Sequence, residues 1–195
     1  MEYYCDAMKI FIDFDDTLID RHRMTDDIFA KFGDVSVEEL RRLYKEFRVT
    51  MPFTVNGFVH FLLEKGLDGE RLRQLFLDGA SRTGAYIFDD AIEFLKTLKT
   101  ARYEVILLTV DADVEHWQWP KIHASGLEQY FDAIYPTSGK KVDVVKMMIV
   151  DDEVFIFLDD KENEIIMMHD AFPMAMCLKH EPRTALMGHL GKFNP

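Results

Sequence analysis

The feature that most limits the fold is a set of short apolar runs, four of which end in polar residues. Residues 8–12 run into Asp13, 104–108 into Thr109, 133–135 into Pro136, Thr137 and Ser138, and 154–158 into Asp159 and Asp160. A fifth run, 174–178, follows Pro173. The runs are rich in Ile, Val, Leu and Phe and alternate poorly, as strands do when both sheet faces are covered. Helical patterns over 90–100, 114–125 and 142–149 separate them. Strand alternating with helix predicts an α/β fold with a parallel sheet. Ligands bind such sheets beyond the carboxyl ends of the strands, where Asp13, Thr109, Asp159 and Asp160 fall.

The stretch 20–85 reads differently, with helical periodicity and no run that reads as a buried strand. A short helix is expected over 25–32. Ser36 with Glu39 three residues on reads as a capping box, followed by a stripe of Leu40, Leu43, Tyr44 and Phe47. Residues 54–65 repeat the pattern with Val55, Phe58, Val59 and Leu62, closed by Gly66, and 68–80 add Leu72, Leu75 and Phe76. A strand-to-helix connection usually takes about 2–6 residues. The stretch is therefore an inserted helical subdomain, dividing the chain into an α/β core of 1–19 plus 86–195 and an insert of 20–85.

Charge narrows the function. Thirty-five acidic residues against 23 basic ones leave the chain at −12, which repels a phosphate backbone and an anionic lipid surface alike. Neither a nucleic-acid nor a membrane partner is expected, whereas a basic pocket for one phosphorylated metabolite is compatible. Cys5 and Cys177 are too far apart in sequence for a metal or redox motif. Residues 1–6 show no basic-then-apolar leader, and no run approaches membrane-spanning length. A cytoplasmic location is expected. No heptad pattern offers an oligomeric state.

The sharpest constellation is Asp13, Asp15, Asp16 and Thr17 directly after the first strand. Side chains two apart in extended chain point the same way, so Asp13 and Asp15 are expected to enter the cleft together. With Asp159 and Asp160 at another strand end, up to five carboxylates converge. Crowded carboxylates need a shared proton or a metal. Oxygen-only ligands suit Mg²⁺, which takes one or two carboxylates plus substrate phosphate.

These motifs together resemble the haloacid dehalogenase-like (HAD) hydrolases, most of which are Mg²⁺-dependent phosphatases with a Rossmann-like core. Asp13, Asp15 and Thr17 match the family's Asp-x-Asp-x-Thr, Thr109 its strand-ending Thr or Ser, Lys140 or Lys141 its helix-start lysine, and Asp159 with Asp160 its acidic pair. Gln118, Lys121 and the stretch 125–132 resemble the family's helix-to-strand passage. The resemblance implies that Asp13 is the nucleophile forming an aspartyl-phosphate and Asp15 the general acid and base. Dehalogenase members lack an acid at that second position, because a halide leaves without a proton. Thr109 and Lys141 would bind the phosphoryl group; Lys141 is preferred over Lys140 because the sequence following it fits the motif better. The metal would be held by the Asp13 carboxylate, the Asp15 backbone carbonyl and Asp160, with Asp159 in support.

By the same resemblance the insert is a helical cap closing over the site. Arg21, His22 and Arg23 fall at its first hinge, and Arg48, Asn56 and His60 within it; each is read as solvated surface. Trp117 and Trp119 are read as packing at the sheet edge, and the Met pairs 147–148 and 167–168, with Met174 and Met176, as core filler. The expected activity is Mg²⁺-dependent hydrolysis of a small phosphate monoester. The alternatives are phosphomutase or phosphotransferase chemistry on the same fold, or a phospho-ligand-binding protein without turnover. A receiver-like signalling domain is disfavoured, because receivers carry their acceptor Asp on the third strand and have no insert.

Overall fold

A computed structural model describes residues 7–150 and 153–193. Cys5 and the N-terminal residues 1–6 lie outside the described residues. Five parallel strands form one sheet: β1 (Lys9–Ile12), β2 (Glu104–Val110), β3 (Ala133–Thr137), β4 (Ile156–Asp159) and β5 (Met176–Lys179), in the order β3-β2-β1-β4-β5. The chain builds one half of the sheet from β1 to β3 and then returns to lay β4 on the other side of β1. That reversal opens a crevice at the carboxyl ends of β1 and β4.

Alternation along the strands covers both faces. Ile10, Ile12, Val105, Leu107, Ile156 and Leu158 pack on one side with Phe94, Leu95 and Leu98 of α5 (Ala91–Thr100) and Ile122 of α6 (Trp119–Ser125). Phe11, Ile106, Leu108 and Phe157 pack on the other with Val142 and Val145 of α7 (Lys141–Lys146) and Met168 of α8 (Glu162–Ala171).

Between β1 and α5 the chain forms four helices, α1 (Arg21–Phe32), α2 (Val37–Thr50), α3 (Val55–Glu64) and α4 (Gly69–Ala80). Each has a side-chain cap: Asp20 accepts from the Arg23 amide, Ser36 from Glu39, Thr54 from Gly57 and Asp68 from Arg71. The Asp20 cap starts α1 four residues earlier than expected, so Arg21, His22 and Arg23 are its first turn and not a loop. Glu39 turns its carboxylate to Arg42 (2.7 and 2.8 Å), so only half of the anticipated capping box forms. The helices close on an aromatic cluster of their own, Phe29, Phe32, Phe47, Phe53, Phe58 and Phe76, each side chain contributing about 1.5–3 kcal/mol on burial.

Three local readings are corrected. The 114–125 segment is not one α-helix: Val114–Gln118 form a π turn, and α6 begins at Trp119. Pro120 has no amide to donate, which breaks the α register there. Trp117 does not pack at the sheet edge; it reaches into the aromatic cluster of the insert, 5.2 Å from Phe76 and 6.2 Å from Phe53. Met147 and Met174 are exposed, not core filler. Among the described residues, no helix is long and apolar enough to cross a membrane.

Candidate active site

The site forms at the crevice because backbone pairing puts β1 beside β4. The Asp13 amide donates to the Leu158 carbonyl (2.9 Å), bringing Asp13 alongside Asp159 and Asp160. Lys141, the first residue of α7, is fully buried and bonds Asp13 Oδ1 and Asp159 Oδ2, the latter at 2.5 Å. The other Asp159 oxygen accepts from the Lys161 amide (2.9 Å). Asp13 Oδ2 and Asp160 Oδ1 are buried without a partner. One oxygen from each of Asp13, Asp159 and Asp160 falls within 4.8 Å of the others.

This donor set fits a hard divalent cation. Three carboxylates each bring one oxygen within reach of a single ion, and two of the carboxylates keep an oxygen without a partner. Burial and the charge of Asp13 push the Asp160 carboxyl up to about 7. Burial also raises Asp13, against the pull of Lys141 and with added repulsion from Asp159. Lys141 is raised as well, since Asp13 and Asp159 outweigh the burial that opposes its charge. A cation at the open oxygens relieves the crowding. Asp160, with its open oxygen, is the better placed ligand of the pair, since both Asp159 oxygens are engaged.

The five-carboxylate convergence is corrected to three. Asp16 adopts a left-handed backbone (φ 63°), which ends the extended run after Asp15. Both Asp15 oxygens accept from buried Lys121 at 2.7 Å. Asp16 pairs with Arg21 at 2.8 Å. Burial pushes Asp15 up, but Lys121 and Arg21 together hold its carboxyl below the usual range. Asp15 nonetheless lines the cavity above the sheet.

Thr109, at the carboxyl end of β2, is buried and its Oγ1 accepts from Gln118 Nε2 (2.9 Å). That bond uses an acceptor site and leaves the hydroxyl proton to donate. Lys140 is exposed at the N-cap of α7, so the buried position belongs to Lys141. Asn56 bonds Arg73, and exposed His60 pairs with Glu64; neither lines the cavity.

Two lysines escaped the sequence reading. Lys121 was visible only as part of a helix-to-strand passage, yet a lysine flanked by Trp117, Trp119, Pro120 and Ile122 is a charge set in an apolar surface. Lys161 follows the acidic pair directly and lines the cavity. Burial opposes its charge, but Asp13 leads the groups that raise it.

A parallel sheet with a buried Asp–Lys–Asp cluster at its reversal point defines a class of hydrolase. The chain belongs to it: the haloacid dehalogenase-like hydrolase family matches residues 9–171. Among curated protein sequences no relative matches significantly. Similar solved structures include a haloacid dehalogenase-like hydrolase from Burkholderia xenovorans, with 18% identity and a TM-score of 0.74 over 97% of this chain and 86% of that one. The L-2-haloacid dehalogenase of Xanthobacter autotrophicus shares 14% identity, with a TM-score of 0.67 over 95% and 81%. A HAD-hydrolase from Bacillus subtilis bound to magnesium shares 17%, with a TM-score of 0.56 over 80% and 78%. At these identities the structural likeness shows the fold.

Proposed function

We propose that the protein is a phosphatase, hydrolysing a small phosphate monoester through an aspartyl-phosphate on Asp13, with Mg²⁺ as its metal. The observation that carries this reading is the pairing of two differently held carboxylates. Asp13 has one oxygen fixed by Lys141 and one open, and Asp15 stands two residues on at the cavity wall. Asp15, held ionised by Lys121 and Arg21 in the free protein, takes up the proton of the monoanionic ester as it binds. An Asp13 oxygen then attacks phosphorus, the P–O ester bond breaks, and Asp15 passes that proton to the departing alkoxide. Lys121 stabilises the carboxylate left behind. Water then attacks the aspartyl-phosphate while Asp15 takes its proton, releasing phosphate and restoring Asp13. Thr109 donates to a phosphoryl oxygen, and Lys141 balances the charge gathering there.

Asp13 and Asp160 would hold the metal through their open oxygens, with the Asp15 backbone carbonyl. Bound there, it neutralises phosphoryl charge as a Lewis acid. A dehalogenase reading leaves Asp15 without work, since a halide departs unprotonated.

Residues 20–85 serve as the cap, and 1–19 plus 86–195 as the catalytic core. The two connections run side by side, with the Asp20 amide on the Tyr86 carbonyl (2.8 Å) and the Phe88 amide on Leu18 (3.1 Å). The cavity lies between cap and core. The test is phosphate release from a panel of phosphorylated metabolites, with and without Mg²⁺. Metal-dependent release that falls by about a thousandfold or more in Asp13→Asn is expected. Release of halide from 2-haloacids, with no phosphate from any ester, would overturn the reading.

A further inference from the structure

The cavity over the sheet holds about 640 Å³, far more than one phosphoryl group needs and within the size of small-ligand sites. Its core side carries Asp15, Asp111 and Lys161, and its cap side is built largely by α1 and α2. On α2, Arg41, Tyr44, Lys45 and Arg48 recur at i, i+3, i+4 and i+7, so they share one face, and all four line the cavity. Leu40, Leu43 and Phe47, on the opposite face, are buried in the insert. One helix thus turns its apolar stripe inward and its cationic stripe toward the site.

The charges on that wall do not cancel. Arg21 is committed to Asp16 and Arg41 to Asp26, each at 2.8 Å. Asp15 is committed to Lys121, and Asp111 accepts from the Asp113 amide (2.8 Å). Lys45 and Arg48 are exposed and have no acidic partner within 4 Å among the described residues. Arg48 instead lies near the Tyr44 hydroxyl. In a chain of net charge −12, two uncompensated cations facing one concave site select an anion. Tyr44 and Phe53, 5.3 Å apart, supply apolar surface beside them.

We propose that the leaving group of the substrate carries a second anionic group, a carboxylate or phosphate, which Lys45 and Arg48 of α2 bind across the cavity from Asp15. This rests on the phosphatase reading above. Charge-assisted hydrogen bonds to such a group are about twice as strong as neutral ones. A phosphate ester of a neutral alcohol leaves both cations without a partner and is the poorer substrate.

Phenyl phosphate and 4-carboxyphenyl phosphate differ by one remote charge and test this directly. With Mg²⁺, kcat/KM should favour the carboxylated ester by roughly tenfold, the effect of one charge-assisted bond. In Lys45→Gln/Arg48→Gln that ratio should fall to about one, and Arg48→Glu should invert it. Calorimetry of both esters on Asp13→Asn, where turnover is blocked, should show the same preference in Kd. Hydrolysis of both esters at equal rates overturns this inference and leaves the phosphatase reading intact. A preference that survives in the double variant overturns the assignment to α2. Hydrolysis of neither ester, nor of any phosphorylated metabolite in the panel, removes the phosphatase reading and this inference with it.

Discussion

At the scale of single residues, three cations divide four of the five carboxylates among them. Lys141 serves Asp13 and Asp159, Lys121 serves Asp15, and Arg21 serves Asp16. The Lys121–Asp15 pair is buried, and removing one partner of a buried pair strands the other charge, at about 3–5 kcal/mol. Lys121→Met should therefore lower unfolding stability by about 3 kcal/mol in urea titrations. The double variant Lys121→Met/Asp15→Asn should recover part of that loss, because no charge is left stranded. A double variant no more stable than Lys121→Met would mean that the lysine acts by packing alone, through Phe14 and Trp117, whose rings lie 5.8 and 5.1 Å from Nζ. Asp16 shows the same economy: its left-handed backbone costs about 1 kcal/mol or more for a non-glycine residue, offset by its bond to Arg21.

At the scale of elements, the insert depends on close helix contacts and on two residues lent by the core. Asp113, after β2, accepts from the Val55 amide at the start of α3 (3.0 Å), and Trp117 fills the aromatic cluster between α3 and α4. Within the insert, Gly69 opens α4 against α3 so tightly that a Cβ there would lie 2.5 Å from the Val59 carbonyl oxygen. Backbone cannot yield as a flexible side chain can. Gly69→Ala should destabilise the protein by about 1–3 kcal/mol, despite the better helix propensity of alanine. Thermal denaturation with a Tm equal to wild type would show that the two helices can separate freely.

At the scale of the whole molecule, the proposed metal and the proton both bear on stability. A divalent metal binding the folded state alone stabilises it by RT ln(1 + [L]/Kd), about 2.7 kcal/mol at a hundredfold excess over Kd. Mg²⁺ should raise Tm with saturation in wild type and lose most of that effect in Asp160→Asn. The metal-free variant should be at least as stable as wild type, since it lacks a carboxylate that burial and Asp13 disfavour. Beside the cluster, where the His180 amide donates to the Asp159 carbonyl (2.8 Å), His180 Nδ1 meets His189 Nε2 at 3.2 Å, and both outer nitrogens are buried without partners. Burial and then His189 depress His180 from 6.5 to about 4, against a weaker pull from Asp90 and Glu181. Burial and then Lys192 depress His189. The unfolded chain binds protons that the folded pair refuses, so this stability is complete above pH 6.5 and drains as pH falls toward 4. Between pH 7.5 and 5, wild type should lose more Tm than His180→Phe. Equal slopes would show that the pair does not titrate on unfolding.

The α/β alternation, the strand-end residues Asp13, Thr109 and Asp159, and the helical insert were legible from the sequence, because local hydrophobic period and short spacings encode them. The sequence preferred Lys141 to Lys140, and the fold separates them by burial: the helix start turns Lys141 inward and leaves its neighbour in water. What depended on tertiary structure was which charge meets which. Asp15 and Lys121 are 106 residues apart, and their pairing follows from how the sheet and α6 pack, not from any local pattern. The cationic face of α2 was equally hidden. Amphipathic periodicity shows that a helix has two faces, but only packing shows that its polar face fronts a cavity rather than bulk water.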